Sequence, residues 1–130
     1  MIKFTVQSEF SAAHFYNQPK WSAEKNKQQF GKCYSPYGHG HNYQLILEFE
    51  NQNPKDLLSE QNSLQISIQK LTETLDHKHL NHEIDFFKQH IPTTENIAVY
   101  LLDTLKKNSL KQPTKLILKE MDSLWVEIQL

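Results

Sequence analysis

The feature of the sequence that most constrains the fold is a period-two pattern of apolar residues in two segments. Residues 2–7 (IKFTVQ) and 42–50 (NYQLILEFE) each carry apolar side chains at every second position. This period of two is typical of strands that bury one face and expose the other. It predicts a first strand from residue 2 and a second from about Gly38 to Glu50. Near the C-terminus, KLILKE, a short MDS turn and LWVEIQL predict an antiparallel hairpin.

Two amphipathic helices are predicted between these strand pairs. The first is capped by Ser59 and the second by Thr93 or Thr94, since side-chain oxygens at this position accept hydrogen bonds from the first helical N–H groups. The apolar stripes are Leu64, Ile68, Leu71 and Leu75 in the first helix and Ile97, Tyr100, Leu101 and Leu105 in the second. The polar segment 17–29 is interpreted as a loop, which gives the element order β-β-α-α-β-β.

Composition excludes several classes of protein. The 130 residues fit one domain, residues 1–130, with 38% hydrophobic side chains. The net charge is −1 and all 14 basic residues are lysine, whereas a nucleic-acid-binding module would show a basic excess and arginines. No apolar run is long enough to span a bilayer or to act as a signal peptide, and the single cysteine fits a reducing compartment. We therefore expect a cytoplasmic protein that binds neither membranes nor nucleic acid.

Three histidines are candidate metal ligands. His39 and His41 lie two residues apart on the second predicted strand, so both side chains point to the same side. His14 ends the run FSAAH and faces the same point if the first two strands pair antiparallel. Three neutral imidazoles leave one position of a tetrahedral zinc site open, as in catalytic zinc sites. The alternative is chance, because a chain with seven histidines also contains a second pair of this spacing, His77 and His79.

Cys33 is the only cysteine and lies six residues before His39. As a fourth ligand beside three histidines it would close the coordination sphere, which suits a purely structural ion. A thiol close to a cation and a histidine instead has a lowered pKa and can act as a base near neutral pH. A lone cysteine is most often a small buried hydrophobic side chain, but the polar neighbours of Cys33 weaken this interpretation. We interpret Cys33 as an acid–base group.

Three acidic residues and one further histidine are also candidates. Asp76 precedes His77 at the end of the first predicted helix, where the imidazole either complements the negative end of the helix dipole or, oriented by Asp76, shuttles protons with the thiol. Glu120 shares the parity of the apolar residues of its strand, and an inward carboxylate is costly unless a partner satisfies it. A ligand with N–H donors would do so. Glu95 lies in the first turn of the second helix, where a glutamate is stabilising without any ligand.

Five motifs, in register along the chain, resemble the 6-pyruvoyl tetrahydropterin synthase family: FSAAH, GKCYSPYGHGHNY, LDHKHLN, PTTEN and KE. The resemblance covers nearly the whole chain. It implies an α+β fold with a four-stranded antiparallel sheet and two helices packed on one face, the T-fold of tetrahydropterin synthases. It also implies a homo-oligomer, in which the sheets of three subunits form a barrel and two trimers stack into a hexamer, with active sites between subunits.

The resemblance also implies a role for the metal-binding and catalytic candidates. His14, His39 and His41 match the three zinc ligands of the family, which implies Zn2+ as the cofactor. Cys33 matches the thiol that abstracts protons from the substrate side chain. Hydrogens are redistributed within the substrate in this family, so no external redox cofactor is expected.

The remaining matches concern the proton relay and the pterin pocket. Asp76 and His77 match a pair that a neighbouring subunit brings to the thiol, and Glu120 matches the carboxylate of the same relay. Thr94 and Glu95 match the segment that anchors the pterin ring, whose N–H groups suit a carboxylate acceptor.

The implied reaction is elimination of triphosphate from 7,8-dihydroneopterin triphosphate with an internal redox rearrangement of the side chain. The spacer YSPYG between Cys33 and His39 resembles that of the pyruvoyl-forming branch. The 6-carboxy-tetrahydropterin synthases of queuosine (7-deazaguanine) biosynthesis usually have a shorter spacer. We favour the pyruvoyl-forming branch, and the alternatives are the carboxy-forming enzyme, a non-catalytic zinc- and pterin-binding module, and an unrelated zinc hydrolase. Without arginine, lysines would have to hold the triphosphate, and the candidates are Lys20, Lys25, Lys27, Lys32 and Lys78.

Overall fold

The computed structural model describes residues 1–130, which form five strands and five α-helices. In chain order the elements are β1 (Ile2–His14), α1 (Ala23–Phe30), a 3-10 helix (Gly31–Cys33), β2 (His39–Asn51), α2 (Leu57–Glu73), β3 (Lys78–His79), α3 (Leu80–Glu83), α4 (Phe86–Gln89), α5 (Thr94–Lys107), β4 (Lys115–Met121) and β5 (Leu124–Gln129). None of the helices combines the length and the apolar character that crossing a bilayer requires.

The strands form one sheet with the order β3-β1-β2-β4-β5. The pairs β1–β2, β2–β4 and β4–β5 are antiparallel, and α2 and α5 pack against one face, as expected. The expectation of a purely antiparallel, four-stranded sheet is wrong in one respect, because β3 adds a fifth strand parallel to β1. Only Lys78 and His79 pair there, beside Ala12 and Ala13, and two residues are too few to show a period of two.

β1 and β2 pair over their whole length, and this register positions the candidate histidines. Thirteen residue pairs run from Ile2 opposite Asn51 to His14 opposite His39. β1 runs from Ile2 through the FSAAH run to His14, as expected for a first strand that carries this histidine. The two histidines at the end of this ladder are therefore direct neighbours.

One hydrophobic core fills the space between the sheet and the two long helices. The inward side chains follow the predicted alternation, and Phe10 stacks on Tyr43 with ring centroids 4.9 Å apart. Burying a large apolar side chain stabilises the fold by about 1.5–3 kcal/mol. The buried strand residues of this core are Phe4, Val6, Phe10, Ala12, Tyr43, Leu45, Leu47, Phe49, Leu116 and Leu118. The same face of the sheet ends at the buried His14.

The two long helices carry the predicted apolar stripes, but one boundary differs. α5 begins after Thr93, whose hydroxyl accepts a hydrogen bond from the Asn96 N–H at 3.3 Å, as predicted for its cap. α2 begins at Leu57, two residues before the predicted cap Ser59, and it ends before Leu75, which is nonetheless fully buried. Helix ends fray, so the sequence specifies such boundaries weakly.

The prediction of a loop over residues 17–29 is wrong, because α1 begins within this segment. The Ser22 hydroxyl caps the helix, and Asn26 is only 1% exposed. The Asn26 amide donates to the carbonyls of Gln18, Trp21 and Ser22, and its oxygen accepts from the Gln18 N–H. A short helix held by one buried amide has no apolar stripe, so periodicity does not reveal it.

Replacing Asn26 with alanine is expected to lower the free energy of unfolding by about 1–3 kcal/mol. The backbone groups of Gln18 and Ser22 would lose the buried side-chain amide to which they are hydrogen-bonded. Urea denaturation followed by tryptophan fluorescence measures the change. The matched control is Asn62→Ala on the exposed side of α2, which should change stability by less than about 0.5 kcal/mol. Equal effects of the two substitutions would contradict the role assigned to Asn26.

Candidate functional site

Three imidazole rings meet at the end of the sheet where β1 finishes and β2 begins. His14 is the last residue of β1 and lies opposite His39, and His41 follows on β2. The ring centroids are 4.7 Å apart for His14 and His39, 5.2 Å for His14 and His41, and 5.0 Å for His39 and His41. The antiparallel register thus brings together side chains that are 25 residues apart in the chain.

One pair of ring nitrogens is spaced as two ligands of the same tetrahedral metal ion would be. His14 Nε2 lies 3.2 Å from His39 Nε2. Two nitrogens bound to zinc at about 2.0–2.1 Å with tetrahedral angles are about 3.3 Å apart, so this pair fits one ion. His14 belongs to two sets of donor atoms that lie within 4.8 Å of one another; one set adds Cys33 and His39, and the other adds His41 and Glu120. The donors fit zinc, and which of them bind it stays a prediction.

His14 is completely buried and is held in the neutral form. Its pKa is lowered to about 3, mainly by burial and next by the nearby imidazoles of His39 and His41. A neutral imidazole keeps one nitrogen lone pair, which metal binding requires. The other ring nitrogen, Nδ1, lies 2.8 Å from the hydroxyl of Tyr43. His14 can therefore coordinate through one nitrogen while the other is hydrogen-bonded.

Glu120 is a buried carboxylate at the same end of the sheet, only 4% exposed. Its Oε1 accepts a hydrogen bond from the Tyr43 hydroxyl at 3.4 Å and lies 3.5 Å from both His14 Nε2 and His41 Nε2. Burial raises the pKa of Glu120, and the hydrogen bond from Tyr43 partly opposes this rise. The sequence pattern indicates the inward carboxylate but not its partner, although Tyr43 shares the parity of His39 and His41.

The Cys33 sulfur borders the histidine cluster, 3.8 Å from His39 Nε2. The residue is partly exposed, and its carbonyl accepts a hydrogen bond from the Tyr16 N–H at 2.7 Å. Burial, and next the charge of Glu120, raise the pKa of Cys33. The protein groups of the site therefore favour the protonated thiol, and a nearby cation is what would lower its pKa.

Gly38 allows the loop after Cys33 to enter β2 close to the end of β1. Its φ is +75°, which favours glycine, and a Cβ there would lie 2.7 Å from the backbone oxygen of His14 and 3.0 Å from His79 Nε2. Any other residue would push the loop away from β1 and shift the first histidine of the HGH motif.

Asp76 and His77 form a pair beside β1, in the turn after α2. Asp76 Oδ1 accepts a hydrogen bond from the Ser11 N–H at 2.8 Å, and Oδ2 lies 2.8 Å from His77 Nδ1. These two contacts lower the pKa of Asp76. The His77 side chain is 83% exposed and lines a groove together with Ser11 and His41. No hydrogen bond joins the Cys33 thiol to this pair, so one chain does not assemble the predicted relay.

Thr94 and Glu95 are the first residues of α5. Thr94 is 3% exposed, whereas Glu95 is exposed to solvent. Burial raises the pKa of Tyr16 and of Glu120, and the charge of Glu95 adds a smaller contribution to both shifts. Tyr16 packs against His14, with ring centroids 4.9 Å apart. α5 packs on the face of the sheet that ends at His14, so Thr94 and Glu95 lie on the side that carries the cluster.

The chain is similar in sequence to known enzymes. The sequence model of the family described as 6-pyruvoyl tetrahydropterin synthase matches residues 3–129. The 6-pyruvoyl tetrahydrobiopterin synthase of Poecilia reticulata is 38% identical over 105 residues, which are 78% of this chain and 71% of the relative. The Homo sapiens protein of the same name is 35% identical over 101 residues, which are 75% of this chain and 70% of the relative.

The fold is also similar to solved structures. The 6-pyruvoyl tetrahydropterin synthase of Caenorhabditis elegans superimposes with a TM-score of 0.82 at 28% identity, covering 98% of this chain and 94% of that chain. The Plasmodium vivax 6-pyruvoyl tetrahydropterin synthase superimposes with a TM-score of 0.62 at 20% identity, covering 98% of this chain and 96% of that chain. The second similarity shows the fold alone.

Replacing Asp76 with asparagine is expected to destabilise the protein at pH 7 but much less at acidic pH. The pKa of Asp76 is lowered from 3.8 on folding, so the ionised carboxylate stabilises the fold above that value. This contribution is lost as the pH falls through the lower pKa of the folded state. Urea denaturation should show a similar gap between wild type and variant at pH 7 and pH 5, and a smaller gap at pH 3.

The matched control for this prediction is Asp103→Asn, which changes an exposed aspartate on α5. Its stability should stay close to that of wild type at each pH. A gap for the Asp76 variant that is constant across the three pH values would show that the charge of the carboxylate is not responsible.

Proposed function

This chain belongs to the 6-pyruvoyl tetrahydropterin synthase family, and we propose that it is a zinc-dependent 6-pyruvoyl tetrahydropterin synthase. It is then a carbon–oxygen lyase that eliminates triphosphate from 7,8-dihydroneopterin triphosphate and rearranges the hydrogens of the substrate side chain. The observation that carries the proposal is the convergence of three imidazoles, a thiol and a buried carboxylate in a chain that matches the family over residues 3–129.

We assign the metal to His14, His39 and His41. Their nitrogen donors suit zinc, and three protein ligands leave one coordination position for substrate. When bound, zinc acts as a Lewis acid that polarises hydroxyl and carbonyl oxygens of the substrate side chain and so acidifies the adjacent C–H bonds. The protein contributes a neutral, buried His14 and two further histidines that the β1–β2 register holds beside it.

Cys33 is the proposed base that takes a proton from the substrate side chain. Its sulfur is 3.8 Å from His39 Nε2 and partly exposed, so it borders the cluster and remains accessible to a ligand. Glu120 belongs to the same proposed relay, because its buried carboxylate faces two of the histidines from β4. A positioned base of this kind typically accelerates proton transfer by about 10²–10⁴-fold.

We propose that the active sites lie between subunits of a homo-oligomer, a trimer or a hexamer. Asp76 holds Nδ1 of His77, and the exposed imidazole keeps Nε2 available for proton transfer. Within one chain this pair is not hydrogen-bonded to Cys33, so a second copy would have to bring its own pair to the thiol. A chain of 130 residues with 38% hydrophobic side chains has a small core, so association with further copies would bury additional apolar surface.

Pterin recognition is assigned to Thr94 and Glu95. The Glu95 carboxylate is exposed at the start of α5, so it is free to accept hydrogen bonds from the N–H groups of a pterin ring. Thr94 is buried and fixes this turn of the helix against the core. An acidic residue in the first turn also stabilises the helix through its dipole, so Glu95 can stabilise α5 and bind the pterin ring at the same time.

Incubation of the zinc-loaded protein with 7,8-dihydroneopterin triphosphate is expected to release triphosphate and form the pyruvoyl product, detected by mass spectrometry. Carboxy-pterin together with acetaldehyde would move the protein to the carboxy-forming branch. Triphosphate cleavage with an unaltered pterin side chain would indicate a zinc hydrolase. Absence of every product would contradict the proposed enzyme and favour a binding module.

In the same assay, Cys33→Ala is expected to keep its zinc, while its rate of triphosphate release falls by about 10²-fold or more. Ser35→Ala, from the same loop, is the matched control and should retain both zinc and activity. Loss of zinc from the Cys33 variant would show that the sulfur is a ligand rather than the base.

Mixed oligomers of Cys33→Ala and His77→Ala subunits are expected to regain activity that neither variant has alone. If each site takes its thiol and its imidazole from different subunits, random mixing leaves roughly a quarter of the sites intact. The two variants are co-expressed, each with a different affinity tag, and oligomers that contain both are isolated by purification on one tag and then on the other. The control is an oligomer in which both tagged subunits carry the same substitution. Hybrids without activity would show that the relay lies within one chain.

A further inference from the structure

The hydroxyl of Tyr43 links a candidate metal ligand to a buried carboxylate. Tyr43 is fully buried, and its oxygen lies 2.8 Å from His14 Nδ1 and 3.4 Å from Glu120 Oε1. A phenol has one proton, so it can donate to only one of these two groups. The carboxylate can only accept, so Glu120, 3.4 Å away, is the partner that needs the hydroxyl proton, whereas His14 Nδ1 can either donate or accept.

The direction of this hydrogen bond decides the tautomer of His14. When the phenol proton goes to Glu120, the short contact at Nδ1 requires that Nδ1 carries the imidazole proton and donates it to the Tyr43 oxygen. Since a neutral imidazole has only one N–H, Nε2 then keeps its lone pair. In the reverse arrangement, Nε2 would carry the proton and could not bind a metal.

The contacts of the second ring nitrogen favour the same tautomer. Glu120 Oε1 lies 3.5 Å from His14 Nε2, slightly farther than its 3.4 Å from the Tyr43 oxygen. His14 Nε2 lies 3.2 Å from His39 Nε2, a contact in which either nitrogen can donate. Protonation at Nε2 would require the Tyr43 hydroxyl to donate to Nδ1, so Glu120 would lose the phenol proton and keep only the longer contact with Nε2.

On the basis of the proposed metal site, we infer that Tyr43 is a positioning residue, which holds His14 in the tautomer whose Nε2 is free to bind the metal. Glu120 sets the direction of the hydrogen bond. A partner on the far nitrogen of a histidine ligand fixes the ring and typically changes metal affinity by about 10–100-fold. Tyr43 and Glu120 thereby influence the metal through His14.

Core packing does not account for the hydroxyl. The ring of Tyr43 stacks on Phe10, with centroids 4.9 Å apart and an interplanar angle of 10°. A phenylalanine would make this contact equally well. A buried hydroxyl is costly unless it is hydrogen-bonded, so its two polar partners are the reason for a tyrosine at this position.

The first test compares Tyr43→Phe with Tyr100→Phe, a matched loss of one hydroxyl on α5, where Tyr100 packs against Phe86 and Phe87. Zinc affinity, measured by competition with a chelating dye, is expected to fall by about 10–100-fold for Y43F and to stay unchanged for Y100F. Equal affinity of wild type and Y43F would overturn this inference alone. Failure of the wild type to bind zinc would overturn the proposed metal site and this inference with it.

A spectroscopic test on the metal-free wild type remains decisive even if Y43F does not fold. Nitrogen-15 NMR of the imidazoles is expected to show His14 protonated at Nδ1 in the wild type and a mixture of tautomers in Y43F. A purely structural role of Tyr43 would leave the tautomer unchanged. Protonation of His14 at Nε2 in the wild type would overturn the inference.

Glu120→Leu removes the acceptor oxygen that a glutamine would keep, and so tests the role of the carboxylate in setting the direction of the hydrogen bond. The substitution is expected to weaken zinc binding in the wild-type background and to have little further effect in the Y43F background, because both act through the same contact. Independent losses, whose factors multiply in the double variant, would show that Glu120 does not act through Tyr43.

Discussion

The antiparallel pairing of β1 with β2 is the constraint on which both the core and the candidate site depend. Its thirteen pairs fix which side chains face inward, so Phe10 and Tyr43 stack in the core while His14 meets His39 at the end. A slip by one residue would turn the whole apolar face of a strand towards solvent, so burial of the core holds the register. The histidines are thus brought together by hydrophobic free energy, although their rings disfavour protonation of one another.

The histidine cluster is the polar end of an otherwise apolar face, and its buried polar groups satisfy one another. The Tyr43 hydroxyl contacts both His14 and Glu120, and no polar atom of these three side chains is buried without a partner. A buried polar network of this kind destabilises the fold when one of its groups lacks a hydrogen-bond partner. When all its groups are paired, it favours a single arrangement of the core. The same sheet therefore supplies a stable core and donor atoms of defined protonation, with Tyr43 belonging to both.

β1 contacts both the Asp76–His77 pair and the histidine cluster that Cys33 borders. The backbone of Ser11 anchors Asp76 and His77, while His14, three residues later, faces the metal cluster. Ser11 holds the pair through its backbone N–H and C=O, and no hydrogen bond links the pair to the Cys33 thiol within one chain. In the proposed site between subunits, a second copy would bring its Asp76 and His77 to the Cys33 thiol.

Local periodicity already specifies which faces of β1 and β2 are buried, the stripes of α2 and α5, and the shared orientation of His39 and His41. These features depend on strand pleating and helix twist, which belong to the backbone itself. Periodicity does not reveal α1, which depends on the buried amide of Asn26, or β3, which pairs because the chain after α2 returns beside β1. The contact of Tyr43 with Glu120 and the contact of the Cys33 thiol with His39 also lie outside any local pattern. Their geometry arises from the packing of sheet and helices as a whole.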